Sequence, residues 1–89
     1  NLIHEEHILE YSNQLLDACS CANSMSLYQN AFDYLLICKN LEVKGIEIIE
    51  AHMEKIPLTY ISESNANKIF HMAFKFDLHD LAFSIGRIM

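Results

Sequence analysis

Glycine and proline are nearly missing from this 89-residue chain, which holds two of the first, Gly45 and Gly86, and one of the second, Pro57. Period-two alternation of apolar and polar residues is almost absent as well, so nothing in the sequence punctuates or patterns a β-sheet. Long apolar runs are also lacking. None approaches the roughly 18 residues that cross a bilayer, and no membrane partner is expected. Residues 1–10 are polar and carry no basic n-region of the signal-peptide kind. The chain opens without Met and in what reads as helix, so it is expected to be a piece of a longer polypeptide.

Cations are scarce. Six Lys and Arg stand against twelve Asp and Glu, a formal charge of −6. Nucleic-acid binding relies on cations that neutralise phosphates. Here Lys39, Lys44, Lys55, Lys68, Lys75 and Arg87 are scattered and form no patch, so no nucleic-acid partner is expected. Cys19, Cys21 and Cys38 make no even disulfide framework. They read as free thiols in a reducing compartment, cytoplasmic or nuclear.

What the chain does have is apolar content, 52% of its residues. That excludes disorder. In so short a chain it also implies that some apolar surface meets something outside the segment. The spacing predicts an all-α fold of about five helices in antiparallel hairpins. The first spans about 3 to 19, with Ile8, Leu15, Leu16 and Cys19 inward. The Ser- and Asn-rich stretch 20 to 29 reads as a loop. A second helix from about 30 to 41 is striped by Ala31, Tyr34, Leu35, Cys38 and Leu41. A third from about 44 to 55 is striped by Ile46, Ile49 and Met53, and Pro57 ends it. Ser62, Ser64 and Asn65 are N-cap candidates for a fourth, striped by Ala66, Ile69, Phe70 and Ala73. Asp77 is expected to cap a fifth, striped by Leu78, Leu81, Ala82, Ile85 and Met89.

"NAFDYLLICKNLEVKGI" (30–46) aligns without a gap on "NANKIFHMAFKFDLHDL" (65–81), an internal repeat with an offset of 35 residues. Leu41-Glu42-Val43 and Phe76-Asp77-Leu78 then become equivalent elbows, with Val43 and Leu78 tucked beneath each corner. Gly45 is expected to let the third helix approach a neighbour closely.

Asn30, Ala31, Leu35, Leu36, Leu41, Val43, Lys44, Gly45 and Ile46 together resemble the last helical hairpin of the BTB/POZ fold, with Cys38 in place of an Ala. Leu15, Leu16 and Asp17 are similar to its preceding helix. Asn65, Ala66, Ala73, Phe76, Leu78 and Leu81 look like the opening hairpin of a BACK region. The resemblance divides the chain into a BTB/POZ-like part, 1–56, and a BACK-like part, 57–89. It implies a protein-interaction adaptor or scaffold that recruits a cullin ubiquitin ligase, and a homodimer formed through sequence not present here. It also places partner contacts in the 24–29 loop, at Met25, Leu27 and Tyr28, although that loop lacks the Glu of the family's cullin signal. Two alternatives stand beside it: a pentatricopeptide-like, RNA-binding helical repeat, or a structural subunit fragment of a large assembly.

Little chemistry is expected. Cys19 and Cys21 form a C-x-C and His4 and His7 an i, i+3 pair, but no second pair completes a zinc set, so no metal and no cofactor are assigned. His52, His71 and His79 read as surface histidines without triad partners. The carboxylates Glu5, Glu6, Glu10, Glu42, Glu47, Glu50 and Glu54 read as a solvated acidic face. No catalytic residue and no enzyme activity are expected. Phe74, off the main stripe of its helix, is a further candidate for partner contact.

Overall fold

The computed structural model describes residues 2–22 and 24–89; the side chains of Leu2 and of residues 19–22 lie outside that description. The placements expected for Cys19 and Cys21 therefore fall outside the described residues. Five helices follow in order: α1 (Leu2–Ala22), α2 (Met25–Leu36), α3 (Glu42–His52), α4 (Glu63–Lys75) and α5 (His79–Gly86). Two short 3₁₀ turns, Met53–Lys55 and Leu58–Tyr60, flank Pro57 between α3 and α4. The described residues hold no strand, and the all-helical expectation is met.

The molecule measures 34 × 31 × 19 Å, a slab about two helix diameters thick. α1 packs chiefly on α2, α2 on α3, and α4 on α5, while α4 also leans on α2 and α3. One core threads all five helices, centred on Phe32, Leu35, Ile46, Ile49, Ile69, Leu81 and Ile85. Burial of such side chains, at roughly 1.5–3 kcal/mol each, is the main force holding the slab together.

Among the described residues of 20–29, all but Ser24 are helical and form no loop. α1 continues to Ala22, and α2 starts at Met25, five residues before the expected start. Ser24 is its N-cap, accepting a hydrogen bond from the Leu27 N–H at 3.4 Å. The early turn is held because Tyr28 is buried, its ring 5.6 Å from that of Tyr60.

Several inward assignments shift. On α1 the buried positions are Leu9, Ser12 and Leu16, with Ile8 and Leu15 half-buried. Ser12 is tolerated in the core because its hydroxyl donates to the Ile8 carbonyl at 2.8 Å. On α2, Phe32 takes the core place expected for Tyr34, which is exposed. Met89, expected on the α5 stripe, is exposed too.

The two elbows both fall between helices, but they are built differently. α2 ends at Leu36, and residues 37–41 form the first link. Leu41 is the N-cap of α3, and Glu42 opens that helix without capping it. Val43 is exposed; the half-buried Leu41 packs under the corner instead. At the second link Asp77 adopts a left-handed φ of 59° and caps nothing; Leu78 is the N-cap of α5. The Leu78 N–H donates to the Ala73 carbonyl at 2.8 Å and the Asp77 N–H to Phe74 at 3.2 Å. That is a Schellman ending. The helix-starting leucines, 41 and 78, lie 37 residues apart, so the ungapped 35-residue repeat drifts across its own elbow.

Gly45 sits where α3 crosses α2. A Cβ there would lie 2.9 Å from the backbone oxygen of Leu35, so only glycine fits without a shift.

Candidate interaction surface

The residues expected to touch a partner are dispersed by the fold. Tyr28 is in the core against Tyr60, and Leu27 is half-buried beside it. Met25 is exposed at the start of α2. Phe74 is exposed on another helix, α4. The two ends of that set do not converge on one site.

Two apolar grooves are assembled instead. In the first, Phe70 and Phe74 of α4 meet edge-to-face at 4.8 Å between centroids. Across from them α5 presents His79, Ala82, Phe83 and Gly86, at i, i+3, i+4 and i+7, with Arg87 at the end. Phe83 is 72% exposed, more than any other large apolar side chain described. Water-facing rings in a row mark a contact surface, because solvated apolar area of this kind is released on binding.

The second groove lies between α1 and α2 and is lined by His4, His7, Ile8, Tyr11, Tyr34 and Ile37. The rings of Tyr11 and Tyr34 tilt against each other at 6.1 Å. Neither tyrosine was expected at a surface site. Tyr34 was hidden because it shares helical spacing with the true core residues of α2, and periodicity alone cannot tell the edge of a stripe from its centre.

Other side chains do structural work. Glu5, expected on a solvated face, reaches the α2–α3 elbow. Its two carboxylate oxygens accept from the backbone N–H of Asn40 at 2.9 Å and from the Asn40 side-chain amide at 2.6 Å. Partial burial pushes this carboxyl up, but the hydrogen bonds from Asn40 outweigh it and hold the pKa below the usual glutamate range. Burial, followed by the nearby Glu5 charge, pushes the Cys38 thiol up. Cys38 is therefore a buried, protonated thiol that donates to the Tyr34 carbonyl at 3.4 Å, poorly suited to nucleophilic work.

His52 is not a surface histidine. It is buried between α3 and α1, with Nε2 2.7 Å from the Asn13 Oδ1 and Nδ1 3.7 Å from the Asp17 carboxylate. Both ring nitrogens thus face oxygens of α1, which makes His52 a tie between the helices. His71 and His79 are exposed. Among the described residues no three His, Cys, Asp or Glu side chains converge as metal ligands.

The class the structure defines is structural only: an all-helical slab, tied by hydrogen bonds between its helices and bearing apolar grooves. Its particular lineage comes from sequence comparison. The profile of the Nup85 Nucleoporin family matches the chain over residues 1–89. The chain belongs to that family. Comparisons with characterised proteins and with solved structures found no match.

Membership overturns the BTB/POZ and BACK resemblance, and with it the adaptor function, the ubiquitin-ligase role, the cullin partner and the BTB-type homodimer. The physical reason lies in the matched residues: Ala31, Leu35, Gly45, Ile46, Ala66, Ala73 and Leu81 are all buried packing positions. Any tightly joined helical hairpin selects small and branched residues there, so the pattern reports a hairpin and not a lineage. The family agrees with the nuclear half of the expected localisation and lends nothing to the cytoplasmic half.

Proposed function

We propose that this chain is a structural segment of the nuclear pore, a helical scaffold element that works by burying apolar helix faces against neighbouring subunits. It carries out no bond chemistry. The observation that carries this reading is the family match over residues 1–89. The exposed rings of the two grooves support it, because a scaffold element must leave helix faces open for its neighbours. Of the two alternatives raised by the sequence, the structural subunit of a large assembly is the one that the family favours.

The test is to image the full-length protein, fluorescently tagged at its own locus. A punctate nuclear rim that co-localises with other pore subunits is expected. Diffuse cytoplasmic signal, with no rim, overturns the reading.

A further inference from the structure

The α4–α5 groove differs in charge from the chain as a whole. Its floor is Phe70, Phe74, Ala82 and Phe83. The only titratable side chains lining it are His79 and Arg87, and no carboxylate does so, although the chain has twice as many acids as bases. The Arg87 side chain has no ion-pair or hydrogen-bond partner among the described residues, unlike those of Lys44 and Lys75, which are paired with Glu6 and Glu42. The groove between α1 and α3 shows the contrast: it is lined by Glu6, Glu10 and Glu47 against a single Lys44.

Resting on the scaffold reading above, we infer that the α4–α5 groove receives one amphipathic helix from a neighbouring protein, with an apolar face and an acidic flank. The apolar face covers Phe74 and Phe83. A groove between two antiparallel helices is the natural seat of a third, whose anchors recur at i, i+3 or i+4, and i+7. The acidic flank meets Arg87, whose planar guanidinium takes a carboxylate through two parallel hydrogen bonds. A second copy of this chain fits poorly, because two molecules of formal charge −6 repel each other. A membrane surface fits poorly too, since anionic headgroups are held by clusters of four or more cations and here Arg87 stands alone with His79. Phe83, as the most exposed ring, is the expected anchor of the contact.

The experiment places a photo-crosslinking benzoyl group on the ring at Phe83 in the full-length protein, irradiates intact cells, and sequences the captured segment. The expected product is one segment of another protein, helical in periodicity and carrying more Asp and Glu than Lys and Arg within two turns of the crosslink. Arg87→Glu should lower its yield at least tenfold while leaving the far-ultraviolet circular dichroism unchanged, and the same group at Tyr11 should not capture that segment. Capture of a basic segment, of lipid, of a second copy or of the chain itself overturns the inference, as does a yield indifferent to Arg87→Glu or no capture at all. Rim localisation of the unmodified protein is scored in parallel. A rim signal with a failed crosslink sinks only the groove assignment, whereas a missing rim sinks the scaffold reading beneath it.

Discussion

The α2–α3 and α4–α5 elbows look alike in sequence and are held by different means. The second is self-sufficient. Its carbonyls are satisfied by the N–H groups of Asp77 and Leu78, and a left-handed residue makes the turn. The first has no left-handed residue; beside one local bond, from the Leu41 N–H to the Cys38 carbonyl at 3.3 Å, it draws on Glu5, 35 positions upstream, which accepts from the backbone and side-chain N–H groups of Asn40. One turn is therefore closed by its own residues alone, and the other is closed partly by its own residues and partly by α1. The two are joined across the slab, where Lys75 at the end of α4 donates to Glu42 at the start of α3 at 3.3 Å.

The sharpest way to separate the two hairpins is through their glycines. Gly45→Ala drives a Cβ to 2.9 Å from a backbone oxygen, which cannot swing aside. Overpacking of about 1–3 kcal/mol exceeds the helix propensity gained, roughly 1 kcal/mol at most, so a net loss is expected. Thermal denaturation should show a melting temperature lower by several degrees. Gly86→Ala meets only the edge of the Phe70 ring at 3.3 Å, a half-exposed side chain that can turn, so its melting temperature should stay close to that of the parent. Equal losses at both glycines would erase the distinction.

A smaller effect probes the turns themselves. Asp77→Gly relieves a left-handed φ and should stabilise by roughly 0.5 kcal/mol in denaturant titrations. Asn40→Gly should have the opposite sign, since it removes the side-chain amide held by Glu5 and loosens a turn that needs no positive φ. Smaller again is the link between the elbows. Lys75 is largely exposed and Glu42 partly so; a double-mutant cycle with Lys75→Ala and Glu42→Ala should give a coupling of about 0.2–0.5 kcal/mol that shrinks in high salt.

The faintest signal is the titration of Glu5. Its folded pKa lies below the unfolded value, so its contribution is present at neutral pH and is lost as pH falls through the folded pKa. The Asn40 amide resonance should shift with a midpoint below the usual glutamate range, and the Asp77 amide should show no such coupling to Glu5. A shared midpoint would mean that both elbows depend on α1.

These contrasts also show what the sequence could convey. Helix type and number were legible, because Ile46, Ile49, Ile69, Leu81 and Ile85 recur at helical spacing and end in the core. The start of α2 was not. Serine and asparagine serve both as loop residues and as helix caps, and only the burial of Tyr28 decides that Ser24 is a cap. Glu5 was illegible for a related reason: nothing in a polar helix face announces which carboxylate will find a distant backbone N–H. The grooves lay beyond periodicity too. Phe83 neighbours the buried Ala82 in sequence yet is the most exposed large apolar side chain described, and only the packing of α5 on α4 shows that it shares one groove with Phe70 and Phe74. The lineage was misread because packing residues alone carried the match.

Asn65 is buried at the foot of α4, and its amide donates to the Asp33 carboxylate on α2 at 3.0 Å. Apolar contact would tolerate several tilts of one hairpin on the other, whereas a hydrogen bond has a direction and loses strength when bent. Asn65 thereby works as a protractor mark between α2 and α4. In an architecture assembled from many such slabs, an error of a few degrees at each joint would grow with distance, and one well-aimed amide keeps the blueprint true.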